Sequence, residues 1–131
     1  MNIIDHLSVG VPTIEPACGF YDAVLAALGV SRLAATEGFA AYGDGAVQFL
    51  IMRPENGAAC TAGNGTHICF NAPSPAAVDA FHRAALAGGG TDAGAPGPRP
   101  GYPAPDVYTC FVRDPYGNKL EAIHNGFSPR A

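Results

Sequence analysis

Four polar side chains recur at matched places along the chain. His6 stands in IDHLSVGVP and His67 in GTHICFNAP. Sliding the chain by 61 residues lays these segments on each other, together with the stretches behind them, FYDAVLAALG on FHRAALAGGG. His6 then falls on His67, Pro12 on Pro73, Phe20 on Phe81 and Gly29 on Gly90. A second match, at an offset of 73, lays AAYGDGAVQFLI over RDPYGNKLEAI and sets Gln48 on Glu121. Strand side chains alternate faces. His6 and Ser8 therefore lie opposite Ile3, Leu7, Val9 and Val11, while His67, Cys69 and Asn71 lie opposite Thr66, Ile68, Phe70 and Ala72. Two neutral imidazoles and a carboxylate converging on an apolar cup are ligands for a divalent first-row metal. Zn, Ni, Fe, Mn and Co all accept such a set. Three protein ligands leave positions open for water and substrate, the arrangement of a catalytic site. Gln48 adds a fourth, weaker oxygen ligand. His82, on a helix, and His124, facing away from Glu121, take surface or structural roles.

The elements that must position these groups repeat as well. Each half reads as a strand, a turn ending in Pro, an amphipathic helix, a terminating glycine and about three further strands. The second helix has Ser74 as N-cap and Pro75 at its first position, with Val78, Phe81 and Ala85 at core-facing spacing. The first carries Ala17, Phe20, Val24 and Leu28 on a similar stripe. The change of offset implies twelve extra residues within TDAGAPGPRPGYPAPDVY, a Pro/Gly-rich inserted loop that reads as a lid at the rim of the cup. Arg99, Tyr102 and Tyr108, on or beside it, are candidate substrate contacts, as are Ser8 and Cys69 on the histidine-bearing faces. The expected fold is α+β. Duplicated βαβββ modules form two curved mixed or antiparallel sheets, an open cup with the helices outside. One domain spans residues 1–131, with module 1 at about 1–60 and module 2 at about 61–131.

Composition narrows the function. Of 131 residues, 48% are hydrophobic and 14% charged, enough apolar material for a core and too little charge for solvated disorder. The net charge of −4, with no basic run, argues against nucleic acid and against an electrostatically held membrane surface. No apolar stretch approaches the roughly 18 residues of a transmembrane helix, and the N-terminal residues do not read as a signal peptide. A cytoplasmic protein is expected. The four cysteines stand singly, which suits small buried hydrophobes better than disulfides or a zinc site.

The duplicated plan, the histidine strand GTHICF, the GAPGPRPGY loop and the ending DPYGNKLE resemble the vicinal oxygen chelate superfamily. That group includes glyoxalase I, extradiol dioxygenases, fosfomycin-resistance thiol transferases and bleomycin-resistance proteins. The resemblance spans roughly residues 2 to 125. It implies a divalent metal held by His6, His67 and Glu121, with Gln48 at the fourth position used by glyoxalase I. It also implies a small substrate chelated through adjacent oxygens, and lyase, isomerase or dioxygenase chemistry with Glu121 as base. A homodimer is implied too, since in glyoxalase I the metal site is shared between chains. Two alternatives belong to the same likeness. One is a metal-free, bleomycin-resistance-type binding protein. The other is a fosfomycin-type thiol transferase, for which Ser8, two residues after His6, is a match.

Overall fold

Ser74 accepts a hydrogen bond from the Ala77 N–H at 3.1 Å and Pro75 opens the helix behind it, so α2 runs Pro75–Ala87. The equivalent α1, Ile14–Ala26, lies at an offset of 61 from α2, and its N-cap Thr13 makes no side-chain cap. Both predicted stripes are buried: Ala17, Phe20, Val24 and Leu28 on the first helical segment, Val78, Phe81 and Ala85 on the second. The computed structural model describes residues 2–129.

Around these helices lie two sheets of the same plan. β1 (Leu7–Gly10), β2 (Ser31–Ala35), β3 (Phe39–Gly43) and β4 (Phe49–Met52) form the order β1-β4-β3-β2. β5 (His67–Asn71), β6 (Thr91–Pro98), β7 (Tyr108–Arg113) and β8 (Lys119–His124) form β5-β8-β7-β6. Each sheet has one parallel pair, β1·β4 or β5·β8, and two antiparallel pairs. These are the expected duplicated βαβββ modules of an α+β fold. The apolar core draws on both halves, and the Phe49 and Phe70 rings meet edge to face at 5.0 Å where the modules join.

A polar clamp reinforces that junction. Asp114, 3% exposed, accepts from the Tyr21 hydroxyl at 2.5 Å, the Tyr116 and Asn118 N–H groups at 2.9 and 2.8 Å, and Asn118 Nδ2 at 2.8 Å. The Asn118 amide also donates to the Gly10 carbonyl at 2.9 Å. Burial, and then the Asp114 carboxylate, hold the Tyr21 hydroxyl well above its ordinary pKa, so it remains a donor. The DPYGN turn thus fastens module 2 to the first helix and the first strand.

The ladders revise the repeat alignment at the last strand. Leu7 pairs with Phe49 and its counterpart Ile68 pairs with Leu120, which sets β4 against β8 at an offset of 71. The position equivalent to Glu121 is therefore Leu50, and Gln48 corresponds to Lys119. The shared Tyr-Gly pair misleads: Tyr42 and Gly43 end a strand, whereas Tyr116 and Gly117 sit in a turn, Gly117 at φ 95°. From helices to last strands the offset grows by ten, not twelve. The extra chain lengthens β6 to eight residues, against five in β2, and supplies the connection 99–107, where module 1 has only 36–38. Gly94 lets β6 cross the ring of Phe111, which a Cβ there would approach at 3.2 Å. All four cysteines are free, but Cys69 is exposed rather than a buried hydrophobe.

Candidate metal half-site

β5, β8 and β7 present one face of successive rows. His67, Lys119 and Arg113 pair across the sheet; next come Cys69, Glu121 and Phe111, then Asn71, Ile123 and Thr109. The Glu121 side chain is 4% exposed and that of His67 43% exposed, and Glu121 Oε1 lies 3.1 Å from His67 Nε2. The other oxygen, Oε2, accepts from the Thr109 hydroxyl at 2.7 Å and the Tyr102 hydroxyl at 3.0 Å. The Thr109 oxygen is also 2.8 Å from the Ala122 carbonyl, so its single proton serves one acceptor at a time. Burial and the Glu121 carboxylate push the Tyr102 hydroxyl up to about 12, which keeps it protonated as a donor. Although Cys69 is exposed as a residue, desolvation around its thiol and then the Glu121 carboxylate raise that group and keep it neutral.

This donor set fits a metal. A buried carboxylate is costly without a positive partner, and the only ion pair of Glu121 among the described residues is with His67, charged only if protonated. An imidazole nitrogen and a carboxylate oxygen lie 3.1 Å apart, and the second oxygen is engaged by Thr109 and Tyr102. His67 and Glu121 would hold the ion as two neighbouring donors.

The other candidates are placed differently. His6 lies just before β1, exposed, with Nδ1 2.6 Å from Asp5 Oδ1, and it does not join His67 and Glu121. Among the described residues no three His, Cys, Asp or Glu side chains cluster as a metal site. Gln48 accepts from the Asp44 N–H at 3.3 Å and lines a cleft of about 350 Å³ between the modules, which Cys69 also lines. Ser8 pairs with Leu50 on the first sheet, away from Glu121's row. Arg99 turns back on the end of β6 and donates to the carbonyls of Ala95, Gly97 and Pro98. Tyr108 donates to Asp79 on α2 at 2.7 Å and so tethers the helix side of the sheet, not the site. His82 meets Asp92 at 2.9 Å and His124 meets the Ala72 carbonyl at 3.2 Å, the structural roles expected of them. The inserted loop does reach Glu121, through Tyr102. Thr109 was missed. Its alternation with Cys110 in YTCF was readable, but only the β7·β8 register shows that it meets Glu121.

A profile of the Glyoxalase/Bleomycin resistance protein/Dioxygenase superfamily matches residues 3–122. The chain belongs to that superfamily. Among solved structures, a glyoxalase/bleomycin resistance protein from Albidiferax ferrireducens T118 is 39% identical, with a TM-score of 0.85 over 95% of this chain and all of the other. A lactoylglutathione lyase from Agrobacterium tumefaciens is 21% identical, with a TM-score of 0.65 over 97% of this chain and 98% of the other. A superfamily enzyme from Burkholderia phytofirmans PsJN is 20% identical, with a TM-score of 0.71 over 92% and 97%. At those lower identities the likeness is one of fold. No curated protein matches the sequence. Divalent metals are general in the glyoxalase/dioxygenase superfamily, and the His67–Glu121 pair has donors of the right kind.

Proposed function

We propose that this superfamily member is a divalent-metal-dependent enzyme of glyoxalase or dioxygenase type, acting on a small molecule through two adjacent oxygens. The observation that carries the reading is the convergence of His67 Nε2 with the buried Glu121 Oε1 at 3.1 Å. The shell is completed across a homodimer by His6 and Gln48 of the partner subunit. In support, one chain does not bring its own His6 to His67 and Glu121. When bound, the metal supplies a Lewis acid for charge developing on the chelated oxygens.

The chain's own residues do the rest. Thr109 and Tyr102 fix Oε2, so Oε1 is the oxygen left to face substrate and to take or return a proton. Phe111 and Ile123, flanking Glu121 on β7 and β8, limit the water that reaches it. Cys69, held neutral, offers a weak S–H donor beside the carboxylate. The test is metal content after exposure to Mn, Fe, Co, Ni and Zn in turn. Stoichiometric retention that His67→Ala abolishes supports the reading. Retention of none overturns it and leaves metal-free binding of a small molecule.

A further inference from the structure

The row next to Glu121 carries an unusual pairing. Lys119 and Arg113 stand directly opposite each other on β8 and β7, on the same face as His67. Like charges directly opposite destabilise a sheet pair. Neither makes an ion pair among the described residues. Lys119 is the only lysine of the chain, and these are two of just seven Lys and Arg residues in a protein of net charge −4. The Lys119 ammonium lies 5.1 Å from the centroid of the Phe111 ring. Arg113 donates from Nη1 to the Gly117 carbonyl at 2.9 Å, which leaves most of its N–H donors free. Both line a cleft of about 520 Å³, walled on its other side by residues 62–66, into which His67 also opens. Among the described residues no carboxylate lines it.

Two cations on adjacent strands, one row from Glu121 and without a carboxylate partner among the described residues, make a place for an anion. We infer that this cleft binds an acidic group of the substrate, a carboxylate or a phosphoryl group, through Lys119 and Arg113. Lys119 and Glu121 stand two positions apart on one strand, a span of about 7 Å. The substrate is therefore a short acid whose oxygenated carbon lies a few bonds from its acidic group. That the anion belongs to a substrate rests on the reading of His67 and Glu121 as the reactive pair. The anion site itself does not.

The sole lysine gives a direct readout. Reductive methylation with ¹³C-formaldehyde keeps its charge and yields one side-chain signal, separate from that of the amino terminus. The full-length protein is titrated with malonate, inorganic phosphate, neutral malonamide, and sodium chloride at matched ionic strength, before and after dialysis against chelator. A saturable shift with malonate identifies a carboxylate site, and one with phosphate a phosphoryl site. Malonamide and chloride leave the signal without saturation. Arg113→Gln weakens the shifting anion about tenfold, the loss of one charge-assisted hydrogen bond, and Arg113→Lys restores most of it. The proposal is overturned if neither anion saturates, if chloride acts equally, or if Arg113→Gln binds as the wild type does. An anion shift in a protein that retains none of the five metals when they are offered without chelator sinks the metalloenzyme reading alone. Metal retained without any anion response sinks only this one.

Discussion

Glu121 is held by groups of unequal standing. Thr109 is buried and Tyr102 only partly so, yet both donate to the same oxygen. Thr109→Val leaves that oxygen short of a donor in a dry place and should cost about 2 kcal/mol by urea denaturation, with weaker metal retention that Thr109→Ser restores. Tyr102→Phe should cost about 1 kcal/mol or less, since water can replace the lost hydroxyl. A larger loss for Tyr102→Phe than for Thr109→Val would contradict this ranking. His67 was legible because the repeat and its strand's alternation assign it a face; Glu121 was picked out by a pairing with Gln48 that the register does not bear out, although its side chain does meet His67. Thr109 was not legible, because its role depends on which residue of the neighbouring strand it stands beside. Arg99 and Tyr108 look like ligand contacts by type, but nearby carbonyls and Asp79 claim them.

At the level of elements, the inserted segment is fastened rather than free. Ala104 and Val107 pack with Ile123, Tyr102 lies against the Phe127 ring at 5.0 Å, and the Ala104 N–H bonds to the Phe127 carbonyl at 3.1 Å. Arg99→Ala, which removes donors to three carbonyls at the end of β6, should hasten protease cleavage within residues 99–106 and lower stability by about 1 kcal/mol. An unchanged cleavage rate would mean that these bonds do not hold the segment. Asp114→Ala strands several buried donors at once and should cost about 3 kcal/mol or more in denaturant. The start of α2 was readable to the residue and the buried stripes of both helices were readable by spacing, since capping and apolar spacing are local. The last strand was placed two residues out, because a chance Tyr-Gly likeness outweighed a register that only pairing can set.

For the molecule as a whole, the first module sets His6 just before β1, Gln48 just before β4 and Leu50 on β4, where the second carries His67, Lys119 and Glu121 on its strands. The halves are therefore complementary rather than duplicate. Light scattering should give twice 13.3 kDa. Mixing makes a sharper test. His6→Ala and Glu121→Ala each lose metal alone, but if sites are shared, randomly exchanged dimers should recover about a quarter of the sites. No recovery after confirmed subunit exchange would mean that each chain builds its own site. The cup, the repeat and the helix faces could be read from one chain's sequence. Which chain completes the shell could not, because apolar patterning marks a face for burial without saying what covers it.

The clamp at Asp114 also has a consequence for synthesis. Tyr21 and Asp114 are 93 residues apart, and Asn118 reaches back 108 residues to Gly10. As the chain leaves the ribosome from its amino end, the first helix waits through most of translation for the acceptor of its buried hydroxyl. Closing so long a loop is slow relative to local helix formation. Module 1 therefore emerges early but cannot settle until the DPYGN turn arrives. A nascent chain stalled before Asp114 is the form most exposed to proteases, and the last residues of the fold decide when the first become secure.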